Sequence, residues 1–273
     1  MTFDLDAYFS RIGYDDPREP TLEVLTALHA LHPAAIAFEN LDPLLGRPVS
    51  LDIDALQAKM VGQRRGGYCF EHNALFGGAL EAIGFAVTPL IARVVWMAPP
   101  ERPLGARSHM LLKVDLPEGP HIADVGFGGQ IASAPLRLAP GLEQRTAEAV
   151  LRLTQVGEGP FGSLVLETRL PAGWTPMYRF TLEPAERADY ESANWFTATH
   201  PASIFTTSLV AERLTPKMRA SLFNRRLTRR TPDGAAEVLE LAGAEDFARV
   251  LEADFDLAPP LDAAVVWAKL PAG

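Results

Sequence analysis

The only cysteine of this 273-residue chain, Cys69, lies in the stretch RRGGYCFEHN, directly after two glycines. Gly66 and Gly67 allow a tight turn and a close approach of the backbone, and we expect a helix to begin at Tyr68 or Cys69. The sulfur would then lie near the positive end of a helix dipole, which favours the reactive thiolate, and the free N–H groups there could hold an oxyanion. The alternative is a small buried apolar side chain, the usual role of a lone cysteine.

A cysteine nucleophile needs a base, and the chain has six histidines. His72 lies three residues after Cys69 and could touch it on a helix surface, but the sequence offers it no obvious orienting acceptor. His109 begins the strand HMLLKV, whose apolar residues alternate from Met110, so its own side chain should point to the opposite face. The strand HIADVGF follows and contains Asp124.

The segment DLPEGP between these two strands is a strong turn signal. The point midway between His109 and Asp124 is the Leu116–Pro117 junction, so a hairpin folded there sets the two residues directly opposite, with Cβ atoms about 5 Å apart. A shift of one residue would turn them to different faces. Alone, each side chain is more often structural. Together with Cys69 they match the nucleophile, base and orienting acid of a cysteine-protease-like triad.

Composition argues against several classes of partner. The formal net charge is −9 and the isoelectric point about 5.2, and no basic run outweighs that charge, so we expect no nucleic acid partner. The start of the chain lacks the pattern of a signal peptide, and no stretch has the length and apolarity of a membrane span. A single cysteine cannot form an intrachain disulfide or a cysteine-rich zinc site. These features predict a cytoplasmic protein without a metal.

The hydrophobic pattern changes twice along the chain. Residues 1–84 have helical spacing, with Thr21 and Ser50 as expected N-caps, Pro33 as an expected helix end, and Gly13 and Gly84 as stops. Residues 85–188 contain short apolar runs separated by Pro and Gly turns, which is typical of an antiparallel sheet or small barrel. Residues 189–273 mix helical and strand signals. The sequence therefore predicts an α+β protein of three lobes with these boundaries.

Five blocks of the sequence resemble the arylamine N-acetyltransferase family of bacterial type, in the family's order and spacing. They are FENLDPL (38–44), RRGGYCFEHN (64–73), SHMLLKV (108–114), ADVGFGG (123–129) and HPASIFTTSLV (200–210). The block R-G-G-x-C-x-E is the most specific of them. The last third of the chain is less distinctive outside the HPASIF block.

The resemblance implies an N-terminal helical bundle, a central antiparallel β-barrel and a C-terminal α/β lid. It also implies that Cys69, His109 and Asp124 are catalytic. The implied reaction is ping-pong: acetyl-CoA, a co-substrate, acetylates Cys69, which passes the acetyl group to an arylamine, an arylhydrazine or an arylhydroxylamine. The resemblance leaves the assembly open between monomer and homodimer.

Other positions carry over from the same resemblance. The loop Gly126, Phe127, Gly128, Gly129 is expected to approach the CoA pyrophosphate, because glycines let backbone N–H groups come close to phosphate; the alternative is a plain β-turn. The acceptor pocket is expected to be lined by Phe38, Val95, Phe127 and Phe205, each of which could also be core. Arg65 and Glu39 resemble a structural ion pair, and the basic run 224–230 is expected to be a solvated turn.

Three other functions remain open from the residues alone. A hydrolase of papain or transglutaminase type would use the same triad geometry on a peptide or glutamine amide. An amide synthase, or a transferase that prefers another acyl-CoA, would share the fold but not the donor or the acceptor. A binding module with a retired site is the third, and the presence of all three triad residues disfavours it.

Overall fold

Three groups of elements follow one another in the computed structural model, which describes residues 3–99, 101–157, 159, 162–257 and 263–271. The helices are α1 (Leu5–Ile12), α2 (Leu22–Ala35), α3 (Leu41–Leu44), α4 (Ile53–Leu56) with a π-helical continuation (Gln57–Gly62), α5 (Cys69–Ile83), α6 (Arg187–Thr199), α7 (Ile204–Thr207), α8 (Ala244–Phe255) and α9 (Ala263–Lys269). The strands are β1 (Phe38–Glu39), β2 (Ala86–Val94), β3 (His109–Asp115), β4 (His121–Ala123), β5 (Leu136–Arg137), β6 (Glu143–Arg145), β7 (Val150–Val156), β8 (Ser163–Leu170), β9 (Gly173–Phe180), β10 (Val210–Thr215), β11 (Met218–Phe223), β12 (Arg226–Arg230) and β13 (Ala236–Glu240).

Three of the five expected helix signals are confirmed. The Thr21 hydroxyl accepts a hydrogen bond from the Val24 N–H (3.3 Å) at the start of α2, and Gly13 and Gly84 end α1 and α5 with positive φ. Pro33 does not end α2, because a proline this close to the C-terminal end removes only one hydrogen bond. Ser50 is not the N-cap of α4: Asp52 holds that position, and the Ser50 hydroxyl instead accepts from the Asp52 N–H.

The middle of the chain forms an eight-stranded antiparallel sheet in the order β5-β4-β3-β2-β9-β8-β7-β6. The sheet curls into a nearly closed barrel. Its two edge strands, β5 and β6, are joined by a side chain: the Gln144 amide accepts from the Arg137 N–H (2.7 Å) and donates to the Arg137 carbonyl (2.9 Å). The expected barrel is therefore present as a nearly closed, barrel-like sheet, with a side-chain amide bridge between the two edge strands where backbone pairing would complete the closure.

The β3–β4 hairpin forms as predicted but in a different register. Leu112 lies opposite Ala123, which centres the turn on Pro117–Glu118, one residue later than expected. The Gly119 N–H donates to the Leu116 carbonyl (2.9 Å), as in a four-residue turn with proline in its second position. The pairing is thereby displaced by two residues. Because the side-chain period is two, His109 and Asp124 still share a face and meet diagonally.

The last third builds a five-stranded antiparallel sheet in the order β1-β10-β11-β12-β13, covered by α8 and α9. Its first strand comes from the N-terminal helical segment, since Phe38 pairs with Glu212. The predicted turn at 224–230 is mostly strand β12. Asn40, directly after β1, donates to the carbonyls of Phe205 and Ser208 at 2.8 Å each. The first and last segments are therefore connected close to the predicted site.

Each face of β3 belongs to a different core. Met110 and Leu112 pack with α5 and the other N-terminal helices, whereas Leu111 packs inside the barrel-like sheet. A third core joins the five-stranded sheet to α8 and α9. His109 lies on the Leu111 side, as the alternation predicted. No helix in the described part of the chain combines the length and the apolarity needed to cross a membrane.

Candidate active site

Cys69 is the first residue of α5, and close packing requires glycine at positions 66 and 67, shortly before it. A Cβ on Gly66 would lie 2.1 Å from the Ala37 carbonyl oxygen, and one on Gly67 would lie 2.7 Å from the Glu71 carboxylate. The Glu71 carboxylate accepts from the Tyr68 N–H (3.0 Å), which fixes the start of the helix. The expected helix start and the close approach of the backbone are confirmed, but the expected tight turn is not: Gly67 forms a parallel β-bridge with Phe38, and neither glycine has positive φ.

The structure brings the three predicted triad residues together in a buried place. His109 Nε2 lies 2.6 Å from Asp124 Oδ2, which leaves Nδ1 as the ring nitrogen available to Cys69. The Cys69 side chain interacts with the imidazole, since it contributes to the raised pKa of His109, and its thiol donates to the Ser108 carbonyl oxygen at 3.7 Å. Exposure is 3% for Cys69, 2% for His109 and 7% for Asp124.

Asp124 receives three further supports. Its Oδ1 accepts from the Asn73 side-chain amide and from the Gly126 N–H, both at 3.0 Å, and its own N–H donates to Nε2 of buried His29 (3.1 Å). Asn73 is one helical turn after Cys69 and also donates to the Met110 carbonyl (2.7 Å). One amide therefore joins the helix of the nucleophile to both strands of the hairpin.

The electrostatics of this group favour an imidazolium–carboxylate pair. Burial lowers the pKa of His109, but the charge and hydrogen bond of Asp124 and the contact with Cys69 outweigh it and raise the pKa to about 10. Burial raises the pKa of Asp124, but the His109 charge and the hydrogen bonds of Asn73 and Gly126 outweigh burial and keep the pKa below its usual range. At neutral pH the pair is therefore charged.

His72, the weaker candidate base, is committed elsewhere. Its Nε2 donates to the Ala37 carbonyl (3.1 Å), and its Nδ1 lies 2.9 Å from Nε2 of His32, which in turn meets the Tyr8 hydroxyl at 2.8 Å. Burial lowers the pKa of His72 to about 4. The neutral ring is thus part of a buried hydrogen-bonded row.

The loop Gly126–Gly129 packs against both the nucleophile and the predicted pocket. A Cβ on Gly126 would lie 2.9 Å from Cys69 Cα, and one on Gly128 would lie 2.7 Å from the Phe38 ring. The N–H of Gly126 donates to Asp124, and that of Gly128 to the Gly126 carbonyl (3.1 Å). These donors are used within the protein, so in this conformation the loop offers a phosphate fewer free N–H groups than expected.

Strands β10 and β11 hold the end of this loop. Buried Glu212 accepts from the N–H groups of Gly129 and Ile131, and Arg219 donates to the carbonyls of the same two residues at 3.3 and 2.9 Å. Glu212 and Arg219 are themselves 3.5 Å apart. The five-stranded sheet thus fixes the backbone that follows Phe127.

The four predicted pocket residues lie in three places, and only two of them, Phe38 and Phe205, are seen to contact each other. Phe38 and Phe205 contact each other, with ring centroids 6.0 Å apart, and Phe127 meets the His109 ring edge to face at 5.1 Å. Val95 directly follows β2, and its N–H donates to the Met177 carbonyl (2.9 Å). Phe38 is almost fully buried, so only part of its ring could meet a ligand. Their role as an acceptor pocket stays a prediction.

Sequence reasoning missed several neighbours of the triad. The Tyr178 ring packs against His109 with centroids 4.8 Å apart and the ring planes tilted by 40°. Burial and the nearby Asp124 charge raise the pKa of the tyrosine. Trp96 meets Phe127 at 6.5 Å. Tyr178 lies in β9, where Gly173 and Pro176 interrupt the residue pattern that would have indicated a strand. Trp96 directly follows Val95, a predicted pocket residue, and this adjacency could have indicated that Trp96 also lies near the triad.

The expected ion pair of Arg65 and Glu39 is confirmed, with Arg65 Nη2 at 2.8 Å from Glu39 Oε1. It belongs to a larger buried cluster, since Arg65 also meets Asp42 (3.3 Å) and Lys59 bridges Asp42 and Glu71 at 2.6 and 2.7 Å. The cluster lies around the start of α5 and braces the segment that precedes it. Among the described residues there is no group of His, Cys, Asp and Glu side chains suited to a metal ion.

Comparison with known proteins identifies the family. A model of the N-acetyltransferase family matches residues 21–263. Arylamine N-acetyltransferase of Mycolicibacterium smegmatis is 43% identical over 275 residues, covering 92% of this chain and 98% of that protein. The Salmonella typhimurium protein named arylamine N-acetyltransferase / N-hydroxyarylamine O-acetyltransferase is 40% identical over 94% of this chain and 90% of its own length.

Solved structures agree over the whole chain. The Mycobacterium marinum arylamine N-acetyltransferase in complex with CoA superposes with a TM-score of 0.92 and 39% identity, covering 98% of this chain and 99% of that one. The Salmonella typhimurium arylamine N-acetyltransferase gives 0.91 and 38% identity. The triad geometry, the three-part fold and these similarities all lead to one assignment: the chain belongs to the arylamine N-acetyltransferase family.

Proposed function

We propose that the protein transfers the acetyl group of acetyl-CoA to the nitrogen of arylamines and arylhydrazines, and to the oxygen of arylhydroxylamines, through an acetyl-cysteine intermediate. The observation that carries this proposal is the 2.6 Å contact of His109 with Asp124, with Cys69, at the start of α5, contributing to the raised pKa of the same imidazole. The family and the CoA complex of a similar structure support the donor.

In the first half-reaction the thiol proton already resides on His109, and the Cys69 thiolate attacks the thioester carbon. A raised pKa makes His109 a base strong enough to keep that proton at neutral pH. The new S–C bond forms, the bond from the acetyl carbon to the CoA sulfur breaks, and the imidazolium proton passes to the departing CoA thiolate. Asp124 orients the ring and stabilises its charge.

Two backbone donors are available for the oxyanion. In the described part of the chain, the N–H groups of Cys69 and Phe127 make no hydrogen bond, and Gly126 packs directly on Cys69. Donors fixed before the reaction stabilise developing negative charge without reorganisation. We assign the oxyanion site to these two N–H groups.

In the second half-reaction the acceptor nitrogen attacks the acetyl carbon, His109 accepts the proton from nitrogen, and the Cys69 sulfur leaves. An aromatic amine suits this step because its nitrogen is mostly unprotonated at neutral pH, unlike that of an alkyl amine. Phe127 and the contacting pair Phe38 and Phe205 provide apolar surface beside the triad for a flat ring. We place the acceptor between them.

Mass spectrometry of the intact protein after mixing with acetyl-CoA tests the intermediate. We expect a gain of one acetyl group that is absent in Cys69→Ala and that disappears on adding an anisidine or isoniazid, with release of the acetylated product. A panel of acyl-CoA donors distinguishes the acetyltransferase from relatives that prefer other acyl groups. Release of CoA that no aromatic amine accelerates would contradict the proposal and favour a hydrolase.

A further inference from the structure

Arg64, the first arginine of the RRGGYC stretch, takes no part in the proposed reaction. Its backbone is left-handed (φ 53°), which is uncommon for a residue other than glycine. Its guanidinium lies 2.7 Å from the Asp256 carboxylate, and Asp256, at the end of α8, is also left-handed (φ 54°). Two unusual backbone positions therefore meet in one ion pair.

A second arginine shares the same carboxylate oxygen. Arg11 of α1 has Nη1 at 3.5 Å from Asp256 Oδ2, and its Nε donates to the Met60 carbonyl (3.2 Å). Its side chain is only 3% exposed, and its Nη2 is buried without a hydrogen-bond partner in the described part of the chain. A buried donor without an acceptor costs folding free energy. An anion that accepted a hydrogen bond from this guanidinium would remove that cost.

What we call the arginine cluster consists of Arg11 and Arg64, which contact Asp256, and of Arg213 of β10, which interacts with Asp256 and both arginines only electrostatically. Arg213 donates through Nε to the Ala34 carbonyl (2.8 Å). Burial lowers the pKa of Arg11 to about 10, and repulsion from Arg64 and Arg213 adds to this effect. The cluster therefore contains less negative charge than is needed to balance its arginines.

No other acid makes up the deficit among the described residues. Asp254, the next carboxylate whose charge reaches Arg213, is held by Arg229 in two contacts of 2.7 and 2.8 Å. Two guanidinium groups contact this one free carboxylate and a third interacts with it electrostatically, which leaves an excess of two positive charges. Arg64 is 55% exposed, so the cluster is open to solvent on its side.

We propose that the arginine cluster is a binding site for a doubly charged oxyanion of the phosphate type, in the seam between the N-terminal helices and the C-terminal sheet. The charge of such an anion matches the excess, and guanidinium forks suit its oxygen geometry. The anion would supply the acceptor that Arg11 Nη2 lacks and would join α1, the segment before α5 and β10. Nothing in the proposed acetyl transfer requires this site.

Titration calorimetry and thermal unfolding at constant ionic strength test the proposal, with sodium phosphate and sodium sulfate as probes and sodium chloride as the reference. We expect saturable binding, and a melting temperature that rises with phosphate and sulfate but not with chloride. Arg64→Asn removes one cation, and asparagine tolerates the left-handed backbone. It should fold as well as the wild type and bind phosphate about tenfold more weakly. The matched control is Arg145→Asn, on an exposed edge of the barrel, which should bind like the wild type.

The substitution Asp256→Asn should change the phosphate affinity in the opposite direction to Arg64→Asn. Removing the competing carboxylate should lower stability without phosphate but strengthen phosphate binding severalfold, whereas a purely structural ion pair would show only the first effect.

The source of the anion is tested with CoA and dephospho-CoA. An Arg64→Asn effect on CoA but not on dephospho-CoA identifies the phosphate monoester of CoA, and an effect only on phosphate and sulfate identifies the free ion. Equal responses to phosphate and chloride, or an unchanged phosphate affinity in Arg64→Asn, would overturn the proposal.

Discussion

At the scale of single residues, the triad is an arrangement in which each member keeps the next in a defined state. Asp124 is ionised because His109, Asn73 and the Gly126 N–H all favour its charged form. His109 is protonated because that carboxylate lies 2.6 Å away. The result is a proton held on the imidazole beside the only thiol of the chain.

Replacing Asp124 by asparagine should reduce the acetylation rate by about 10⁴-fold, because the imidazole loses both its orientation and its counter-charge. Cys69→Ala should remove the activity completely. Both variants should keep the fold, since each replaces a side chain of similar or smaller size at a site with other supports. Steady-state rates and circular dichroism measure the two effects. An Asp124→Asn enzyme with near wild-type turnover would remove Asp124 from the triad.

The pH dependence of stability follows from His109. Its pKa rises from 6.5 to about 10 on folding, so its charged form contributes stability that is fully present below pH 6.5 and is lost as the pH rises through about 10. The free energy of unfolding of the wild type should therefore fall over this window more than that of His109→Gln, which cannot titrate. Urea unfolding at a series of pH values measures the difference. Parallel curves for the two proteins would show that His109 is not held as an imidazolium.

At the scale of elements, glycines let the nucleophile helix and the hairpin loop come into direct contact. Gly126 touches the backbone of Cys69, and Gly128 touches the ring of Phe38. The sequence analysis interpreted these glycines as a phosphate-binding loop, and that role stays a prediction. What the structure adds is that a side chain at either position would displace the loop from the site.

Gly126→Ala should therefore raise the activation free energy of the reaction, measured through kcat, by more than it lowers the free energy of unfolding. The new methyl group would lie 2.9 Å from Cys69 Cα and 3.1 Å from the Cys69 carbonyl oxygen, so the loop must shift and take the Phe127 N–H and the Asp124 support with it. We expect at least a tenfold loss of kcat, about 1.4 kcal/mol in the barrier. Gly105→Ala, where an added Cβ meets nothing within 4 Å, is the control and should behave as the wild type. Full activity in Gly126→Ala would contradict this role of the contact.

At the scale of the whole molecule, the site depends on segments far apart in the chain. Strand β1, from the helical segment, is the edge of the C-terminal sheet, and Glu212 and Arg219 of that sheet hold the loop after Phe127. Asn40 fixes Phe205 through its carbonyl. The predicted boundary between a helical bundle and a lid is therefore crossed by backbone pairing close to the triad.

Asn40→Ala should lower stability and raise KM for the aromatic acceptor. The buried amide makes three hydrogen bonds, to the Phe205 and Ser208 carbonyls and from the Val210 N–H, and their loss should cost about 2–4 kcal/mol. Phe205 would become less ordered, with a smaller change in KM for acetyl-CoA. Gln144→Ala, which removes the bridge between the barrel edges, should lower stability but leave the KM for the aromatic acceptor unchanged. An unchanged KM for the acceptor in Asn40→Ala would argue that Phe205 does not line its pocket.

Sequence alone determined the parts of this protein that rest on local chemistry. The two glycines before Cys69, the DLPEGP turn and the alternation along β3 predicted the helix start, the hairpin and the side of the strand that carries His109. These predictions held because turn residues and side-chain periods act over a few positions. The exact register was wrong by two residues, because Pro117 and Gly119 decide the turn by backbone angles that a midpoint does not consider, and the even displacement preserved the face.

Tertiary structure decided what depends on contacts between distant segments. Sequence could not show that His72 turns to Ala37 and His32, that Glu212 accepts from the Gly129 N–H, or that Arg11 and Arg64 meet at the Asp256 carboxylate. Each of these facts depends on which buried donor finds which acceptor across the fold. Such pairing has no sequence period, because it is set by the packing of whole elements and by the cost of leaving a buried polar group without a partner.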